Sequence, residues 1–90
     1  MTEKENLREL LRRVHERLSR AERVDPDSRR LLGALTQDIE RALGAGAQPA
    51  RLEKDSLPRL EALAVRFDVG HPALAQVLRQ LIYALGKAGI

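Results

Sequence analysis

The last twenty residues, His71 to Ile90, carry no acidic side chain and only two basic ones, Arg79 and Lys87, in a chain otherwise dense with charge. At about 100° per residue, Leu74, Ala75, Val77, Leu78, Leu81, Ile82, Ala84, Leu85 and Ala88 cover roughly half of a helical wheel. A helix lying on a surface needs a narrower stripe. This segment must therefore be the central helix of a core or a seam between chains. Leu74, Val77, Leu78, Leu81, Ile82 and Leu85 are the interface candidates on that face. The entry is written in Gly70-His71-Pro72: Gly70 suits a C′ position, His71 precedes a proline and so must be extended or capping, and Pro72 suits N1. The helix is expected to run to about Lys87, with Gly89 as its stop.

Three more helices are expected upstream. Thr2-Glu3-Lys4-Glu5 reads as a capping box. Leu7, Leu11, Val14, Leu18 and Ala21 follow at spacings of four, three, four and three, with Leu10 widening the stripe, a coiled-coil-like seam. Glu9 with Arg13 and Glu16 with Arg20 are i,i+4 pairs in the favourable order. Asp25-Pro26-Asp27 opens a second helix, with Asp25 as N-cap and Pro26 at N1. Its inner side is Leu31, Leu32, Leu35, Ile39, Ala42 and Leu43, and Gly44-Ala45-Gly46 stops it. Residues 44–55 read as a linker, with one helical turn around Ala50 to Lys54 as an option. Pro58 is costly inside a helix but cheap in a first turn. The third helix is therefore placed near Ser56 or Leu57, with Ser56 as N-cap and Leu60, Leu63, Ala64 and Phe67 facing inward. No alternating strand pattern occurs anywhere.

The expected fold is thus all-α: four helices in two antiparallel hairpins, 2–43 and 56–88, forming one helical bundle that oligomerisation can complete. The reason to expect a second copy is the thinness of the core. Phe67 and Tyr83 are the only aromatic residues, and aromatic side chains bury the most area per residue. A body of ninety residues buries a smaller fraction of its surface than a larger one does. A homo-oligomer, with a dimer favoured, is the expected remedy.

Site chemistry is sparse. There is no cysteine, which excludes disulfides, thiolate metal sites and cysteine nucleophiles and fits a reducing compartment. The N-terminus lacks the basic and apolar regions of a signal peptide, and no apolar run reaches the roughly 18 residues of a membrane span. A cytoplasmic location is expected. His15 and His71 have no metal-ligand spacing around them; His15 is read as a boundary residue and His71 as a helix-entry residue. Asp38, Glu40, Glu53, Asp55, Glu61 and Asp68 are read as solvated charge among arginines rather than as a catalytic pair. Ser19, Ser28 and Ser56 have no histidine at motif spacing, and no Gly-rich loop precedes a helix. No enzyme activity, cofactor or metal is expected.

Two surface readings remain. Arg8, Arg12, Arg13, Arg17, Arg20 and Arg23 cluster on the first helix, and Arg outnumbers Lys thirteen to three. Of these, Arg12, Arg13, Arg17 and Arg20 are the candidates for following a phosphate backbone. Five glutamates interleave with the cluster, leaving residues 1–24 at a net +2, and no aromatic residue is there to stack on a base. A salt-bridged, solvated face is the stronger reading. The last helix, amphipathic and free of acids, could lie on a membrane surface, but core packing explains it better.

The run from Phe67 to Ile90, with His71-Pro72, a Leu-rich helix and a terminal Gly89-Ile90, resembles the closing segment of a small bacterial family, domain of unknown function 4404. The opening Leu7-Arg8-Glu9-Leu10-Leu11 and the Asp25-Pro26 break fit the same pattern, so the resemblance spans the chain. Gly70, where the pattern has an acidic residue, and Pro58 depart from it, and both bear on the continuity of the third helix. The resemblance implies a cytoplasmic helical protein and supplies no activity. The function expected from the residues is a non-enzymatic interaction or scaffold module that self-associates and has an unidentified protein partner. Nucleic-acid binding through the first helix is the alternative.

Overall fold

The computed structural model describes residues 2–44 and 54–89. They form four helices, α1 (Glu3–Arg20), α2 (Pro26–Leu43), α3 (Ser56–Gly70) and α4 (Pro72–Ala88), with no strand among the described residues. The bundle is all-α, as the periodicity requires. The N-terminal hairpin turns through residues 21–25, and the C-terminal one through His71 alone. Most of the linker, 45–53, lies outside the described residues, as does the optional turn beginning at Ala50.

Each helix begins where its capping chemistry allows. Thr2 Oγ1 accepts from Glu5 N at 3.1 Å, satisfying one orphan donor of α1. Asp25 accepts from Ser28 N at 3.0 Å and Pro26 occupies the first turn of α2. At α3 the expectation needs correcting. Ser56 is the first helical residue and is buried, while Asp55 is the N-cap and makes no side-chain cap bond. Starting at Ser56, the earlier of the two expected positions, places Pro58 third in the helix, where its missing N–H had no partner to lose. The first closing bond is Arg59 N to Asp55 O at 3.0 Å. α3 then runs unbroken to Gly70. Gly70 is the last helical residue rather than a left-handed C′, because His71, at φ −142°, does the turning and serves both helices as cap. The left-handed glycine is Gly89 instead, at φ 74°, which ends α4 as expected.

The inner stripes meet in a single core. Leu7, Leu10, Leu11, Val14 and Leu18 of α1 are buried with Leu32, Leu35, Ile39, Ala42 and Leu43 of α2 and all four expected residues of α3. Ala21 and Leu31 are half-buried at its edge. α4 packs most closely, running antiparallel along α1 and pairing as closely with α3. α2 lies against α1 and α3 at wider spacing and makes no close backbone approach to α4. The tightest partner of α1 is thus α4, from the other hairpin. The periodicity did not point to Val24. Arg23 adopts φ 63°, and this left-handed step in the α1–α2 turn is followed by Val24, buried in the core.

Candidate functional site

The apolar face of α4 closes on its own chain. Leu74, Val77, Leu78, Leu81 and Leu85 are buried, and Ile82 is half-buried at the rim. These six were the candidates for a seam with a second copy, and five of them present no surface for one. The reason is topological. α4 lies between α1 and α3, so two leucine stripes flank it and cover an arc that no single helix could. On the outer side, Tyr83 is 73 % exposed. It lines an open groove of about 670 Å³ between α1 and α4, with Asn6, Leu10, Arg13, Gln76 and Lys87.

The arginines of α1 are placed on its exposed faces and largely matched within the helix. Arg12 grips Glu9 through Nη2–Oε1 at 2.6 Å and Nε–Oε2 at 3.1 Å, and approaches Glu16 at 3.7 Å. Arg13 reaches Glu9 at 3.5 Å and Arg20 reaches Glu16 at 3.2 Å. The two expected i,i+4 pairs are present, but the shortest contact is the i,i+3 pair Arg12–Glu9. Hydrogen bonding to Arg12, more than the charges of Arg12 and Arg13, holds the Glu9 carboxyl below its ordinary range, and Glu9 in turn raises Arg12. Of the four nucleic-acid candidates only Arg17 has no acid within ion-pair distance among the described residues. The surface is a lattice of alternating charge, short of a bare basic stripe.

Between helices, polar side chains act as latches. His15 Nε2 lies 3.0 Å from Glu40 Oε1, joining α1 to α2 across the surface. Arg29 donates to the carbonyls of Leu18 and Ala21 at 3.2 and 3.0 Å, closing the C-terminus of α1. Ser28 Oγ donates to Asp25 at 2.9 Å and accepts from Arg66 Nη1 at 2.8 Å, which ties α3 to the start of α2. The Ser28 backbone and hydroxyl, with Arg66 nearby, hold the Asp25 carboxyl below its ordinary range. Asp68 and Arg79 form a two-pronged pair at 2.5 and 2.7 Å between α3 and α4. Asp38 is paired with Arg41 within α2, and Asp55, the cap of α3, with Arg59 in its first turn; Glu53 lies outside the described residues. His71 packs edge-on to Phe67 at 5.9 Å. No fully buried side-chain nitrogen or oxygen among the described residues lacks a hydrogen-bond partner. No three of His, Asp and Glu gather there closely enough to hold a metal ion.

What the stripes did not foretell is the outer face of α3. Val65 is 65 % exposed and Val69 95 %. With exposed Pro58 and Ala62 they form a straight apolar ridge, spaced four, three and four, on the side opposite Leu60, Leu63, Ala64 and Phe67. The signal was in the sequence: an isolated stripe of core residues on a helix whose opposite face is also apolar.

The model of a family described as a domain of unknown function, DUF4404, matches residues 7–90. No curated protein and no solved structure matches the chain.

Proposed function

The chain belongs to the DUF4404 family, and on that footing we propose that it is a non-enzymatic interaction module that associates with copies of itself through the outer face of α3. The observation that carries this reading is the exposed Val65–Val69 ridge. A chain that already buries its leucines gains nothing in its own fold from two solvent-facing valines one turn apart, whereas a partner surface gains their desolvation. The broad face of α4 lends no support to self-association, because its own chain covers it. The non-enzymatic part draws support from how fully the polar groups are used. Among the described residues the carboxylates sit at the surface in ion pairs or in solvent, His15 lies beside Glu40, half-buried His71 packs on Phe67, and none is held in a dry cleft that would tune it for proton transfer. No helix among the described residues is long and apolar enough to cross a membrane. A cytoplasmic setting is part of the proposal and rests on the cysteine-free sequence.

Light scattering over a concentration series tests it. A mass that climbs with concentration, and does so less in Val65→Glu, supports self-association through α3. A constant monomer mass removes it. Salt-dependent oligonucleotide binding that is lost in Arg17→Ala would replace this reading with the nucleic-acid one.

A further inference from the structure

We propose that α3 pairs in parallel with α3 of a second copy, the ridge Pro58, Ala62, Val65 and Val69 forming a short two-stranded coiled coil. This rests on the self-association proposed above and adds the orientation and register. The four residues fall on the d and a places of a heptad. The places beside them are sorted by sign, with Arg59 and Arg66 on one flank and Glu61 and Asp68 on the other. In an antiparallel pair each flank meets its own kind. Glu61 would face the partner's Asp68, and Arg59 the partner's Arg66, four like-charge contacts in all by symmetry, each softened because Arg79 already holds Asp68, Asp55 holds Arg59 and Asp25 neighbours Arg66. In a parallel pair unlike flanks meet. Glu61 then reaches the partner's Arg66 five residues along, and symmetry makes the contact twice.

Glu61 is free for this, while Arg66 combines it with its intramolecular bond from Nη1 to Ser28 Oγ at 2.8 Å. Glu61 is exposed and has no ion-pair partner among the described residues. The Arg66 side chain is 62 % exposed, and its own carboxylate neighbour, Asp25, is 3.7 Å away. Ala62 and Val65 are small, which permits close helix approach, and the ridge faces away from the core, so the two bodies lie on opposite sides of the seam. The charge pattern thus makes the ridge self-complementary and selects a second copy as its occupant. Four small side chains per chain bury less than the roughly 1,200 Å² of a stable complex. The pairing is therefore weak, with a midpoint on the order of 0.1–1 mM.

Single-cysteine variants decide the orientation, since the chain has no cysteine of its own. In the parallel register, Ala62→Cys and Val69→Cys each meet their own copy within disulfide reach. In an antiparallel register that sets residue 62 against 65, two copies of residue 69 lie roughly 16 Å apart along the axis. In a glutathione redox buffer, both variants should form disulfide dimers at least roughly tenfold more readily than Ala34→Cys, an exposed collisional control on α2. Mixing Glu61→Arg with Arg66→Glu should restore an association that each lacks alone. Arg66 also holds Ser28, so circular dichroism must first show that Arg66→Glu is folded; if it is not, the cysteine variants decide. Cross-linking of Val69→Cys at the control level overturns the parallel pairing. If light scattering still shows a dimer in that case, self-association stands through another surface. If the mass stays monomeric, self-association itself falls.

Discussion

Arg23 is the residue whose own conformation works against it. A non-glycine side chain at φ 63° costs roughly 1 kcal/mol or more, and the step is kept because it is followed by Val24, buried in the core. Arg23→Gly should therefore raise the urea midpoint, by up to about 1 kcal/mol of stability once the added freedom of the unfolded chain is subtracted. A lower midpoint would mean that the arginine side chain holds the turn. Asp68 offers a second check on a single residue. Its carboxyl is held below the usual range chiefly by hydrogen bonds from Arg79. A carboxyl depressed on folding adds stability above its unfolded value, near 4, and that stability is lost as the pH falls through the folded value. Titration by NMR should find Asp68 below the ordinary aspartate range and returning towards it in Arg79→Ala. An unmoved midpoint would show that the pair is not made in solution.

Helix by helix, the stripes of apolar residues were legible because burial imposes the 3.6-residue period directly. The buried leucines of α1, α2 and α3 are the residues that the spacing picks out, with Ser28 and Thr36 added on α2. Helix ends were less legible where two signals competed. Ser56 looked like a cap because serine favours that place, but Pro58 tolerates the third helical position equally well, so the helix takes the earlier of its two expected starts, Asp55 is the cap and Ser56 is buried. Gly70 looked like a stop because glycine is common there, yet His71 already breaks the helix ahead of Pro72. Val24 was invisible because it lies in a turn, outside any period. Within α4, Gly86 is helical with nothing within 4 Å of where a Cβ would stand. Gly86→Ala should stabilise the protein by about 0.5–1 kcal/mol in urea unfolding. Destabilisation would show that this surface meets something a methyl group obstructs.

Across the whole molecule, the question that the sequence left open was what covers α4. Half a circumference of apolar surface is equally compatible with two flanking helices of one chain or with a second chain, since periodicity records burial but not the partner. The fold answers with α1 and α3. The radius of gyration, 12.4 Å, matches the roughly 12 Å expected for a closed body of this length. Leu78, fully buried, should cost about 2–5 kcal/mol on truncation to alanine. That is a large share of the stability of a small domain, so Leu78→Glu should unfold the chain at every concentration rather than merely dissociate it. A folded, monomeric Leu78→Glu would show that this face is not core. The candidate site was the less legible half, because an exposed valine ridge differs from a core stripe only in which way the helix is turned. The most direct test is sedimentation equilibrium on the native chain beside Val65→Glu, with helicity followed on dilution. The account predicts a folded species of 10.1 kDa at low concentration, rising towards twice that mass near millimolar concentration in the native chain alone. A mass that never rises, or helicity that disappears as the protein is diluted, would contradict it.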